Sequence, residues 1–293
     1  MGNRMMGPDQ EGFGPSQALW ANMATDQILF FRDRSVGIGM YDDFTSFAGL
    51  VASNVGRYQS EGNNYLSYET TSCSIVNLAL TPTPASVLPT SYGAIVLTPD
   101  TTDGSTVALQ YGGYITAPYG CFPFSVIPGM SADLVFEARL KISAITAARG
   151  NWFIGLAGAA GVAPIATAIP ITSSDVFATT LSLLGFGQLT AATTLTSLFY
   201  ERASGTVAEV TSAATIAADT YIKLGFKWDG TAKTLTPWVN GVPVSAKTVS
   251  LATTAATPWP NDYMTPIVAV EEIGTAARTL TLDWWSCAQL ASV

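Results

Sequence analysis

Two adjacent carboxylate pairs, Asp42-Asp43 and Glu271-Glu272, are the residues of this chain best suited to acid–base work. Cutting a glycosidic bond takes two carboxyl groups facing each other across that bond. Neighbours along a strand point to opposite faces, so neither pair can act together. The chain has no histidine. That removes Ser-His-Asp and Cys-His schemes, His-ligated zinc and the commonest general base near neutral pH. No GxSxG elbow, P-loop or G-x-G-x-x-G stretch is present. The Gly-rich stretches GIGMYDDF and GLAGAAG do not lie between a strand and a helix, and they read as turns. No catalytic residue is assigned, and the chain is not expected to be an enzyme.

Ligand-holding patterns are equally sparse. In TPDTTDGS, Asp100 and Asp103 precede Gly104, but the remaining ligands of a calcium loop are missing, so the stretch reads as an Asp-Gly turn with an Asx cap. Cys73, Cys121 and Cys287 lie far apart, form no C-x-x-C pair and are odd in number. They read as small buried thiols of a protein made in a reducing cytoplasm. No metal and no cofactor are expected. Trp152, Trp228, Trp238, Trp259, Trp284 and Trp285 are candidates for a sugar-stacking platform. Trp228 and Trp284 align with the apolar faces of their strands, as core residues do, whereas Trp238, Trp259 and Trp285 are freer. A core or interface role is preferred for all.

Composition bounds the partners. A net charge of −8, with 13 basic residues scattered along the chain, opposes nucleic-acid binding, which needs clustered Lys and Arg. No apolar stretch is long enough for a transmembrane helix, so no membrane partner is expected. The first residues lack the apolar core of a Sec signal, and MGNRMM does not complete a myristoylation pattern. Apolar residues make up 48% and charged ones 12%, with a mean hydropathy of +0.31. So little charge leaves apolar surface to cover, which points to a homo-oligomer or a subunit of a larger assembly.

The elements that must position these residues divide in two. Residues 1–40 show little periodicity yet carry Phe13, Trp20, Phe30 and Phe31, unlike a disordered tail. Within them SQALWANM predicts one or two helical turns with Ser16 as N-cap, and QILFFRD predicts a strand or docking segment. These aromatics either pack on the protein's own core or order against a neighbouring subunit. Residues 41–293 read as all-β. In ADLVFEARLKIS, Leu134, Phe136, Ala138, Leu140 and Ile142 alternate with Val135, Glu137, Arg139 and Lys141, which predicts a half-exposed strand. NWFIGLAG predicts a central strand. Ile222, Leu224, Phe226 and Trp228 share one face, and Asp229-Gly230 and Asn240-Gly241 turn the chain into a meander. Pro237 and Pro243 place those strands at an edge or a bulge. In RTLTLDWWSCAQL, Leu280, Leu282 and Trp284 alternate with Asp283 and Trp285. The Ala/Thr/Pro-rich stretches, GVAPIATAIPITSSDVF among them, read as strands with long loops.

YDDF, FEARLKI followed by NWFIGLAG, YIKLGFKWDG, the WVNG hairpin and the closing LDWW together resemble the concanavalin A-like (laminin-G-like) jelly rolls of tailed-bacteriophage structural proteins, over residues 40–293. The resemblance implies an all-β, antiparallel jelly-roll β-sandwich with an N-terminal extended arm. It also implies a capsid decoration or cement protein at the virion surface, bridging subunits of the major capsid protein, with a homotrimer favoured. Phe13, Trp20, Phe30 and Phe31 are then the candidate partner-binding residues, since buried aromatics dominate interfaces. The alternative is a carbohydrate-binding module of a tail or head fibre that contacts a host glycan. The Glu-x-Asp-x-x-Glu cluster of the glucanase branch is missing, as is a convincing calcium-binding loop.

Overall fold

The alternation read in residues 134–142 and 222–229 is built into one sheet of a two-sheet sandwich. In a computed structural model, the described residues are 15–21, 37–44, 48–49, 57–60, 63–70, 72–77, 93–112, 123–127, 132–145, 150–159, 164–167, 169–172, 176–189, 195–204, 207–250, 259–273 and 278–290. Sheet A runs in the order β18 (Val242–Pro243), β17 (Thr234–Val239), β16 (Ile222–Asp229), β9 (Leu134–Ile142), β21 (Leu280–Leu290), β6 (Ile95–Thr98), β5 (Ser74–Asn77). β1 (Gly37–Asp42) also pairs with β21, and β19 (Val249–Ser250) with β17. Sheet B runs β15 (Ala208–Thr215), β14 (Leu195–Glu201), β13 (Ser182–Gln188), β10 (Asn151–Gly158), β20 (Tyr263–Glu271), β7 (Thr106–Tyr111), β4 (Asn63–Glu69), β3 (Arg57–Ser60), β2 (Ala48–Gly49). β8 (Phe124–Ser125) pairs with the start of β20. Every pairing is antiparallel, and β10 is central, as its apolar sequence requires.

The two inner faces meet in one core. Leu134, Phe136, Ala138, Leu140 and Ile142 from β9 join Ile222, Leu224, Phe226 and Trp228 from β16, as their period of two dictates. Phe136 and Phe226 stack with centroids 5.2 Å apart. Asn240 and Gly241 both have positive φ, 48° and 78°, which fits the two-residue turn read from the sequence. The Asp229-Gly230 turn is longer. Asp229 Oδ1 accepts from the Ala232 amide at 2.7 Å, and the left-handed residue is Lys233. Pro237 lies between the residues of β17 that pair with β18 and those that pair with β19, where no ladder donor is needed.

Four expectations are corrected. GIGMYDDF and the start of GLAGAAG are not turns: they lie in β1 and β10. Their glycines allow close approach, since a Cβ at Gly155 would lie 2.4 Å from Gly185 Cα on the next strand. Sandwich pairing starts at Gly37, within the stretch read as arm. In β21 a bulge sets both Asp283 and Trp284 against Arg139. It reverses the alternation, so Trp285 enters the core and Trp284 lies on the outer face. Trp259 and Trp285, taken as freer, are buried, and Trp259 donates to Val126 O at 2.7 Å.

The stretch GVAPIATAIPITSSDVF, read as strands with long loops, forms a short helix as well as a hairpin. Its short helix α2 (Pro164–Thr167) and the hairpin β11 (Ile171–Thr172)–β12 (Val176–Phe177) lie over the outer face of sheet B. There Ile165, Ile171, Phe177 and Ala178 pack on Phe153, Leu183, Phe199, Ile267 and Ala269 as a second apolar cluster.

Candidate functional site: the seat of the N-terminal segment

The outer face of sheet A carries the charged half of the β9 alternation, and there the N-terminal segment docks. One helical turn, α1 (Gln17–Trp20), forms as the sequence suggests, and Trp20 N donates to Ser16 O at 3.1 Å. Ser16 sits at the N-cap position, but its hydroxyl makes no cap bond. It donates instead to Glu137 Oε1. Glu137 Oε2 accepts from the Ser16 amide at 2.8 Å and from the Trp20 indole N–H at 2.9 Å. One carboxyl group therefore takes three donors from five residues of chain.

The seat is shaped for this segment. Leu19 and Trp20 pack with Val135 and Ala288, flanked by Trp238 and Leu290. A Cβ on Gly225 would lie 2.8 Å from Leu19 Cδ2, and one on Gly241 would lie 2.9 Å from Ser16 Oγ. Glycine at both positions leaves room for the segment. Glu137 retains only 1% of its exposure. Burial raises its carboxyl above the ordinary 4.5, while the bonds from Ser16 and Trp20 and the charge of Lys223 oppose that rise. Beside it Arg139 is ion-paired with Asp283 and lies 4.0 Å over the Tyr221 ring. Burial also raises the Asp283 carboxyl, against the hydrogen bond from Arg139.

Of the four aromatics proposed to bind partners, Trp20 is buried on the chain's own sheet. Phe13, Phe30 and Phe31 lie outside the described residues. The structure therefore brings Trp20 together with Glu137 and says nothing of the other three. Glu137 was missed as a site residue, because in the sequence it is one charge among three on a strand face.

The carboxylate pairs do not converge. Asp42 is buried and accepts from the Phe44 amide at 2.7 Å and the Tyr65 hydroxyl at 2.5 Å. Glu271 accepts from Asn151 Nδ2 and Glu272 from the Arg278 amide, each at 2.8 Å, and both glutamates are closed from solvent. Asp100 accepts from Thr101 N at 2.7 Å and Thr102 Oγ1 at 3.1 Å; these are bonds to the adjacent amide and to a side chain, not the i+2 backbone bond of an Asx turn. No three His, Cys, Asp or Glu residues are grouped to hold a metal ion among the described residues. Cys73 and Cys287 are free thiols, Cys287 being buried. No helix among the described residues is long and apolar enough to cross a membrane.

One acid stands apart. Glu201, at the end of β14, has no exposed surface, and neither carboxyl oxygen has a hydrogen-bond partner. Desolvation alone pushes its pKa up to about 7. No motif marked it, since a charge that ends an apolar strand normally reaches solvent.

The sequence matches no protein-family model and no curated protein. Similarity is found at the level of structure. An endo-1,3-β-glucanase from Streptomyces sioyaensis superposes with a TM-score of 0.50 at 14% identity, over 86% of this chain and 96% of that one. The fold is the concanavalin A-like jelly roll. A protein of unknown function from Shewanella oneidensis MR-1 covers both chains fully, with a TM-score of 0.48 and 15% identity. Peanut lectin matches 78% of this chain and 99% of its own, with a TM-score of 0.44 and 14% identity. Identities this low carry the jelly roll and no activity.

Proposed function

We propose that this jelly roll is a non-catalytic structural subunit of a tailed-phage virion, which decorates the capsid and bridges subunits of the major capsid protein. The supporting observation is that the chain covers part of the outer face of each sheet with its own residues. Ile165, Ile171, Phe177 and Ala178 cover part of sheet B, and residues 16–20 cover the apolar end of sheet A. A hydrolase or a sugar-stacking module needs an open cleft with convergent acids or aromatic faces. Here Glu137, Glu201, Glu271 and Glu272 are buried, as are Trp152, Trp228, Trp259, Trp284 and Trp285. Such a sandwich serves better as a building block than as a receptor for small molecules. Its contacts would run through the sheet margins and through Phe13, Phe30 and Phe31, with Trp20 fixing where the N-terminal segment leaves the domain. Copies joined as a homotrimer would let each contact act several times over.

The test is the copy number of this protein in purified virions, measured by quantitative mass spectrometry against the major shell protein. A ratio near that of the shell protein is the expected result. A few copies per particle would move the protein to the tail and favour glycan binding. Its absence from virions would overturn the proposal.

A further inference from the structure

We propose that Glu201 is the trigger of a local opening: when its carboxyl group loses its proton, the turns at residues 178–181 and 202–204 part from sheet B while the sandwich stays folded.

Glu201 is the last residue of β14 and lies opposite Leu183 of β13. A period of two places it on the outer face with Phe199, which packs in the apolar cluster there. It has no exposed surface, and both of its carboxyl oxygens lack a hydrogen-bond donor. The other buried glutamates are held differently, since Glu137, Glu271 and Glu272 each accept at least one hydrogen bond. An ionised carboxylate without a donor in apolar surroundings is unstable. It is relieved by a proton, by a partner or by water.

No neighbouring charge supplies the partner. Glu209 of β15 lies opposite Phe199 and accepts from the Ser197 hydroxyl at 2.5 Å. Asp262 accepts from the Ser182 hydroxyl at 2.5 Å. Neither they nor Arg202, the next residue in the chain, move the Glu201 carboxyl, whose rise comes from desolvation alone. The described residues of the insert and of β13 carry no charge.

Water is close, behind two turns that are lightly held. Residues 178–181 lead into β13 and residues 202–204 leave β14, so both turns flank Glu201 and its partner Leu183 in the chain. Three amides tie them: Leu181 N donates to Ala178 O at 3.0 Å, Ala203 N to the Ser182 hydroxyl at 3.1 Å, and Ser204 N to Thr179 O at 2.5 Å. Thr179, Thr180 and Ser204 are exposed, so solvent lies on the far side. Ser204 has a φ of 64°, in the left-handed region that disfavours a residue with a side chain. Parting the turns breaks these few bonds, whereas unfolding sheet B breaks its ladders as well. Burial holds the carboxyl at about 7, against an ordinary 4.5 once it is open. The closed form is therefore fully favoured below the ordinary value, and that advantage is lost as pH rises through the raised one.

Amide hydrogen exchange, corrected for intrinsic rates, tests this on the unaltered chain. Between pH 5 and pH 8, protection at Leu181, Ala203 and Ser204 should fall about tenfold. At pH 8 that protection should be insensitive to low urea. Ile154 and Leu156 in β10 should lose theirs steeply with urea, as amides that exchange only when the domain unfolds. Glu201→Gln keeps the shape and cannot ionise, so its three turn amides should be equally protected at both pH values. Turn amides that do not respond to pH would overturn the proposal. So would a urea dependence as steep as that of Ile154 and Leu156, which would mean that Glu201 reaches water only by global unfolding. An equal fall in Glu201→Gln would also overturn it, by assigning the response to another group.

Discussion

On the outer face of sheet B, apolar strands are covered by an apolar insert, and Phe177 lies 4.5 Å from Phe199 and 5.7 Å from Phe153 between ring centroids. On the outer face of sheet A, a single carboxylate gathers three donors from a segment five residues long. The first closure depends on area, which is non-directional and spread over many side chains. The second depends on a few charge-assisted hydrogen bonds at one point, together with two buried side chains. A face closed by area opens only when much of the domain opens with it. A face closed at a point can open locally while the sandwich persists. The contrast also changes what the composition means. Part of the apolar share that suggested extensive interfaces is used in a second core outside sheet B, and few large hydrophobic residues are left exposed among those described.

The sharpest way to break this comparison is to cut one anchor from each face. Phe153 has no exposed surface, and its ring lies against Gly185 and Phe177. Phe153→Ala should cost about 3–4 kcal/mol in urea unfolding, as lost transfer energy plus a cavity. Trp20→Ala should cost no more than roughly 2 kcal/mol, because it frees one segment and leaves the sheet ladders intact. Equal losses would mean that the segment on sheet A is as integral to the fold as the insert on sheet B.

A smaller effect is expected at Glu201, a buried acid of sheet B whose carboxyl oxygens lack hydrogen-bond partners. Its folded pKa is about 7, above its unfolded value near 4.5. A group raised in this way contributes fully below the unfolded pKa, and the contribution is lost as pH rises through the folded one. Wild-type stability should therefore fall between pH 5 and pH 8. Glu201→Gln keeps the shape and removes the ionisation, so it should gain roughly 2 kcal/mol at pH 8 and almost nothing at pH 5. The gain stays below the full value of the shift because the effective dielectric around a buried charge in a real protein exceeds that of a dry interior. A variant that is no more stable than wild type at pH 8 would mean that the carboxylate finds water or a cation.

Much of the fold was legible because strands announce themselves by a period of two and turns by Asn-Gly. The inner faces of β9 and β16 follow from alternation alone. That reading failed where one residue was added: the bulge between Leu282 and Trp284 exchanged the faces of Trp284 and Trp285, and nothing in LDWW signals an extra residue. It also failed at GIGMYDDF, where glycine admits close strand packing as readily as a turn. The site was less legible than the fold. Alternation placed Glu137 on the outer face, correctly, but alternation cannot tell a face that meets water from one that another segment covers. Only Ser16 and Trp20, more than a hundred positions away, reveal that this charge is buried.

The finest test concerns the balance at Glu137 itself. Burial raises its pKa, and the bonds from Ser16 and Trp20, with Lys223 nearby, pull the other way. The net direction is upward, so docking is strongest below the ordinary 4.5 and weakens as pH rises through the raised value. The protection factor of the Ser16 amide, corrected for intrinsic exchange, should be higher at pH 5 than at pH 8. In Glu137→Gln, where nothing titrates at that point, the factor should not change with pH. A wild-type amide better protected at pH 8 would reverse the ranking of the two forces. The three bonds to the ionised carboxylate would then outweigh its desolvation, and the segment would be held by charge more than by burial of Leu19 and Trp20.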